Sequence, residues 1–131
     1  MRYLLDTQIL IWALIKPKNL SVETKIILQT EDIYFSHISL FEIVIKQKIG
    51  KLPELPISVE KFYQQLLQDN FKVLEFSLPQ LNSYYDIPLL EHHRDPFDRM
   101  LLAIALAEKM AIISSDDNFV YYESLIQLIK N

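Results

Sequence analysis

Apolar positions along the chain fall into short runs separated by stretches with helical spacing. Tyr3-Leu4-Leu5 reads as a first buried strand that ends at Asp6. Gln8 to Leu14 reads as a helix that stops near Pro17, and Ser21 is placed to cap a second helix reaching about Thr30. Ile33 to Ser36 is a second strand. Ser39 opens a helix through Ile49, with Gly50 at its C-terminal stop. Pro53 and Pro56 mark a loop, and Ser58 caps a helix to about Gln68. Phe71 to Phe76 follows as a third strand, with a short helix after Pro79. Asp95-Pro96 is a strong helix start, a capping acid followed by proline at the first helical position. That helix is expected to run to about Lys109. Ala111 to Ser115 is a fourth strand, and Leu125 to Ile129 a fifth.

Alternation of strands and helices is the signature of a parallel sheet. Met100 to Ala107 leaves the Pro96 helix almost no polar side, as expected of a helix buried all round. The pattern therefore predicts an α/β architecture of three layers, with four to five parallel strands and residues 1–131 forming one domain.

Composition narrows the classes. The chain has 131 residues, half of them hydrophobic, and no cysteine, so a disulfide framework, a thiolate zinc site and a cysteine nucleophile are excluded. A single glycine leaves no room for a Gly-rich phosphate loop. The apolar run from Met100 is far shorter than the roughly 20 residues that span a bilayer. Asp6 and Gln8 interrupt the apolar start before it can serve as a signal peptide, so a cytoplasmic location is expected. The net charge of −4 argues against a protein that holds nucleic acid by a broad basic surface. It is compatible with an enzyme whose acids gather in a metal site.

Four acids stand out by position. Asp6 and Asp116 end strands one and four, and ligands of open parallel sheets collect outside the carboxyl ends of strands. Glu42 and Asp98 fall in the first turns of helices that begin at that same edge, on faces otherwise apolar. Carboxylates brought to about 4 Å repel by roughly 4 kcal/mol per pair at an effective dielectric near 20, so they must share protons or take up a cation. Oxygen ligands alone select Mg²⁺ or Mn²⁺, whose remaining partners are typically water and phosphate oxygens.

Each acid also has a structural explanation. Ser39-x-x-Glu42 fits a capping box, Asp95 and Asp98 fit the cap and third position of a helix, and Asp116 fits a turn with Asp117 and Asn118. Asp6 has no evident structural task. Two other acid-pocket classes fit poorly. A receiver domain wants an acid pair after strand one, and a haloacid-dehalogenase-type phosphatase wants Asp-x-Asp where Gln8 stands.

Leu4-Leu5-Asp6-Thr7, Ser39-Leu40-Phe41-Glu42-Ile43, the run Arg94 to Leu101 (Arg-Asp-Pro-Phe-Asp-Arg-Met-Leu) and Ser114-Ser115-Asp116 follow in order. Together they resemble the PIN-domain family, most closely its VapC-type toxins, over essentially the whole chain. The resemblance implies a metal-dependent endoribonuclease of a toxin–antitoxin pair that cuts RNA, such as transfer or ribosomal RNA, by metal-activated water. The products would carry 5′-phosphate and 3′-hydroxyl ends. It further implies a cognate antitoxin and a homodimer. Carried over by motif, Asp6, Glu42, Asp98 and Asp116 are the catalytic acids that bind Mg²⁺ or Mn²⁺, Ser114 stands where threonine is common, and Asp95 caps its helix. Gln8 replaces a histidine frequent in relatives. The alternative is a silent PIN-type module that binds RNA or protein without cleaving.

Arg99 is expected either to approach a substrate phosphate or to pair with a neighbouring acid. Lys46, Lys48 and Lys51 form a basic cluster that can meet an RNA backbone or simply end a helix. His92 and His93 lack metal-ligand spacing and are expected at the surface, and His37 in a loop. Tyr84-Tyr85 and Tyr121-Tyr122 are expected to be partly buried, and Trp12 to lie in the core or a dimer interface.

Overall fold

The computed structural model describes all 131 residues. Its five strands are β1 (Arg2–Leu5), β2 (Asp32–Ser36), β3 (Lys72–Leu74), β4 (Ala111–Ser114) and β5 (Leu128–Lys130). They form one sheet in the order β3-β2-β1-β4-β5, with every neighbouring pair parallel. The chain winds outward from β1 to β3, then crosses to β4 on the other side of β1. The topological switch point therefore lies between β1 and β4, where open parallel sheets place their ligands.

Six α-helices cover the two faces: α1 (Thr7–Ile15), α2 (Val22–Thr30), α3 (His37–Lys48), α4 (Val59–Gln68), α5 (Leu78–Ser83) and α6 (Pro96–Glu108). Alternation along the strands decides which core each side chain joins. Tyr3, Leu5, Ile33, Phe35, Ala111 and Ile113 pack against apolar residues of α1 to α4, among them Ile9, Leu10, Ile27, Ile43 and Phe62. Leu4 and Ile112 point the other way, onto α6 from Met100 to Ala105 and onto Phe119, Tyr122 and Ile126. This is the expected three-layer α/β/α arrangement, with α6 buried along most of its length. Trp12 is partly buried against the first core. No helix is long and apolar enough to cross a membrane.

Several boundaries differ from expectation, each for a local reason. Helix α3 starts at His37 rather than Ser39, because Ser36 at the end of β2 accepts the Ile38 N–H at 3.0 Å and turns strand directly into helix. His37 is thus an exposed helical residue, not a loop residue. β3 is limited to Lys72–Leu74, and β5 begins only at Leu128 because the apolar run before it folds as a turn that buries Ile126 in the second core.

Candidate functional site

β1 and β4 lie side by side in register, Leu5 opposite Ile113, so the residues that follow each strand emerge together. Asp6 leaves β1 and is the N-cap of α1, its Oδ1 accepting the Ile9 N–H at 2.9 Å. This is the structural task that the sequence did not suggest. The other oxygen, Oδ2, accepts a short hydrogen bond from the Ser114 hydroxyl at the end of β4. Ser114 Oγ also accepts the Asp116 N–H at 3.0 Å, tying the two acidic strand ends together through one buried serine.

Asp116 both caps the 3-10 turn Asp117–Tyr122, accepting the Asn118 N–H at 2.9 Å, and faces the cavity. Asp95 caps α6 by accepting from the N–H groups of Phe97 and Asp98, at 2.8 and 3.3 Å. The Asp98 side chain is thereby free of capping duty.

The capping-box explanation of Glu42 fails because Ser36, not Ser39, starts α3. Ser39 lies inside the helix, where its hydroxyl accepts from Thr7 Oγ1 at 2.9 Å. Glu42 is buried, with Oε2 paired to Lys46 at 2.9 Å, while Oε1 has no partner at all. An unpartnered buried carboxylate oxygen is costly, by about 1–3 kcal/mol or more for a charged group.

Asp6, Glu42, Asp98 and Asp116 line one cavity of about 260 Å³, with Thr7, Gln8, Lys46, Asp95 and Ser115 completing its polar wall. All four predicted acids are therefore brought together. Burial pushes the Asp6 carboxyl up to about 7, and the charges of Asp98 and Asp116 push the same way, against the lowering bonds from Ser114 and Ile9. Asp98 is also raised, first by burial and then by Asp95 and Asp116, with His93 acting in the opposite sense.

Arg99 and His93 are not where the sequence suggested. Arg99 neither reaches the cavity nor pairs with an acid. It is buried, and its guanidinium donates to Tyr84 Oη (3.1 Å), Pro88 O (2.5 Å) and Ile87 O (3.1 Å), stapling the segment before α6 to the helix. His93 is only 4% exposed, contrary to its expected place on the surface. A turn closed by a Leu90–His93 bridge tucks its ring beside Phe119 and Tyr122. Nε2 lies 3.2 Å from Asp98 Oδ2 and Nδ1 2.8 Å from Tyr122 Oη. Helical spacing could not find this histidine, because it lies in a turn; its one signal was proximity to the Asp95-Pro96 start. Of the tyrosines, Tyr122 is fully buried whereas Tyr85 and Tyr121 are exposed.

The model of the PIN domain family matches residues 3–124. The chain belongs to the PIN domain family. Compared sequence against sequence, no curated protein matches it significantly. Among solved structures, the chain resembles VapBC2 from Rickettsia felis, bound to a DNA fragment from its promoter, with a TM-score of 0.72 at 18% identity over 100% of this chain and 99% of that one. VapBC-1 from nontypeable Haemophilus influenzae gives 0.67 at 19% identity, over 99% and 98% of the two chains. FitAcB from Neisseria gonorrhoeae gives 0.62 at 18% identity, over 98% and 96%. At these identities the likeness is one of fold.

In this PIN domain the donor set fits a divalent cation. The acids the cavity gathers are all oxygen donors, one carboxylate oxygen of Glu42 is buried and without a partner, and the Asp6 carboxyl is raised to about 7, chiefly by burial. A hard cation satisfies all three conditions at once, and the buried imidazole behind Asp98 does not line the cavity.

Proposed function

We propose that this PIN domain is a metal-dependent endoribonuclease and the toxin of a toxin–antitoxin pair. The observation that carries this most directly is Glu42, which lines a cavity shared with Asp6, Asp98 and Asp116 and keeps one buried carboxylate oxygen without a partner. These four acids would hold Mg²⁺ or Mn²⁺. Bound there, the cation would offset their mutual repulsion, acidify the attacking water and stabilise the leaving oxygen of an RNA phosphodiester.

The chain's own residues prepare that site. Ser114 and the Ile9 N–H hold both oxygens of Asp6, so its carboxylate needs no reorientation. Lys46 holds Glu42 Oε2 and leaves Oε1 without a partner. With Lys48, exposed at the last position of α3, and Lys51, exposed beyond it, Lys46 supplies local positive charge for an RNA backbone on a chain of net negative charge. Asp95 keeps the start of α6, and with it Asp98, at the cavity wall.

The toxin role and an antitoxin partner are supported by the fold shared with the VapBC structures; a homodimer and a cytoplasmic location belong to the same proposal. The test is digestion of total RNA by the purified chain with Mn²⁺ or Mg²⁺, with chelator, and with Asp6→Asn. Discrete fragments that require metal and disappear in the variant are expected. RNA that is bound but left intact by the wild-type chain would instead indicate a non-cleaving RNA-binding module.

A further inference from the structure

We propose that His93 is a positioning residue of the acid cavity, which, anchored by Tyr122, sets the spacing and orientation of Asp98 and Asp116. The inference rests on the cation-binding role of those acids proposed above. Asp98 belongs to α6, whereas Asp116 belongs to the exit of β4. The Nε2 atom of His93 is the group common to both, 3.2 Å from Asp98 Oδ2 and 3.9 Å from Asp116 Oδ2.

Both ring nitrogens have defined work. An ionised carboxylate only accepts, so Nε2 carries a proton and donates to Asp98, and in the neutral ring Nδ1 then accepts from the Tyr122 hydroxyl at 2.8 Å. Tyr122 is itself buried, and it ends the 3-10 turn that Asp116 caps. Movement of that turn would therefore shift Asp116 and loosen the histidine anchor together. With Oδ2 of Asp98 held by His93, Oδ1 is the oxygen left without a hydrogen bond.

Direct ligation is the competing role, since the ligand atoms of His93, Asp98 and Asp116 all lie within 4.8 Å of one another. Positioning is favoured by access. His93 is nearly fully buried and does not line the cavity, whereas Asp98 and Asp116 do. To bind a cation in that cavity, Nε2 would have to give up its bond to Asp98. Ligand-orienting groups one layer behind a metal commonly change its affinity by about 10–100-fold when removed.

The test is Mn²⁺ titration by calorimetry of the full chain and of His93→Ala, His93→Gln and Tyr122→Phe, with the melting temperature of each measured without metal. Pulsed electron paramagnetic resonance of wild-type-bound Mn²⁺ completes it. His93→Ala is expected to bind Mn²⁺ roughly 10–100-fold more weakly. Tyr122→Phe should weaken binding less. His93→Gln should restore most of the affinity, because a glutamine side-chain amide N–H has the reach of Nε2. The bound Mn²⁺ should show no directly coordinated nitrogen.

Wild-type affinity in folded Tyr122→Phe and His93→Ala, whatever their melting temperatures, would reduce His93 to a packing residue. Coordinated nitrogen would make it a ligand. Either result overturns the positioning role while leaving the acid cavity intact. Failure of the wild-type chain to bind Mn²⁺ would overturn the metal site itself, and is separately recognisable. Should His93→Ala not fold, His93→Gln and Tyr122→Phe decide the question.

Discussion

Asp6 sits at the meeting of two demands. Its position after β1 makes it the N-cap of α1, and its position beside β4 makes it one wall of a cavity with three more acids. Both act on its ionisation: the capping bond from the Ile9 N–H lowers the carboxyl's pKa, but burial and the neighbouring charges outweigh it and raise it to about 7 from an ordinary value of 3.8. In the unfolded chain the group loses its proton near pH 4, whereas in the metal-free fold it keeps it until about pH 7. Its protonated form thus contributes fully to stability below about pH 4, and that contribution is lost as pH rises toward 7. Metal-free wild-type protein should lose stability across this interval, by an amount on the order of a few kcal/mol. Asp6→Asn, which keeps a cap acceptor but cannot ionise, should flatten the profile. Chemical denaturation in chelator at a series of pH values measures both curves. A wild-type profile as flat as that of the variant would mean that Asp6 is solvated like an ordinary surface acid.

Residue by residue, the four acids were legible from their places at strand ends and helix starts. His93 and Arg99 were not, because what they do depends on partners distant in sequence. Arg99 serves Tyr84, Ile87 and Pro88, and His93 serves Tyr122. Neither relation leaves a periodic mark.

At the scale of elements, the same turn ends three helices. After α3, α4 and α6 the residues Gly50, Asn70 and Lys109 adopt positive φ, of 74°, 67° and 56°. In each case the next N–H reaches back to close the helix: Lys51 to Lys46 O, Phe71 to Leu66 O and Met110 to Ala105 O. This is the Schellman arrangement, which favours glycine and tolerates asparagine. Only after α3 does the preferred residue, Gly50, stand at this position. A lysine in the left-handed region is strained by roughly 1 kcal/mol, so Lys109→Gly should stabilise the protein by about 0.5–1 kcal/mol. Denaturant midpoints compare the two. A loss of stability would indicate that the Lys109 side chain makes a compensating contact.

Ser21, Ser58 and Asp95 are side-chain caps that the sequence displays, and the expected ends at Thr30, Gln68 and Lys109 match the observed ones within a residue. The start of α3 was misplaced by two residues because Ser36 and Ser39 are both plausible caps. Only the position of β2, whose last residue is Ser36, chooses between them. That choice matters for function, since it releases Glu42 from the capping box and turns its carboxylate into the cavity.

For the whole molecule, sheet order does the work that no motif can do alone. β1 lies between β2 and β4, and acids separated by as many as 110 positions in sequence, Asp6 and Asp116, meet at the switch point. Strand and helix alternation suggested a parallel sheet. The order of its strands and the joining of Asp6 to Asp116 through Ser114 are properties of the folded chain.

The central claim is that this cavity gathers carboxylates for a divalent cation, against their repulsion. Its most direct test is the melting temperature at pH 7 with chelator and with Mn²⁺, for the wild-type chain and Asp98→Asn. A ligand at about 100 times its Kd stabilises the fold by roughly 2.7 kcal/mol, which for a chain of this size is a rise of roughly 10 °C. The wild-type chain should show that rise and Asp98→Asn should lose most of it. A wild-type melting temperature that Mn²⁺ and Mg²⁺ leave unmoved would contradict the account.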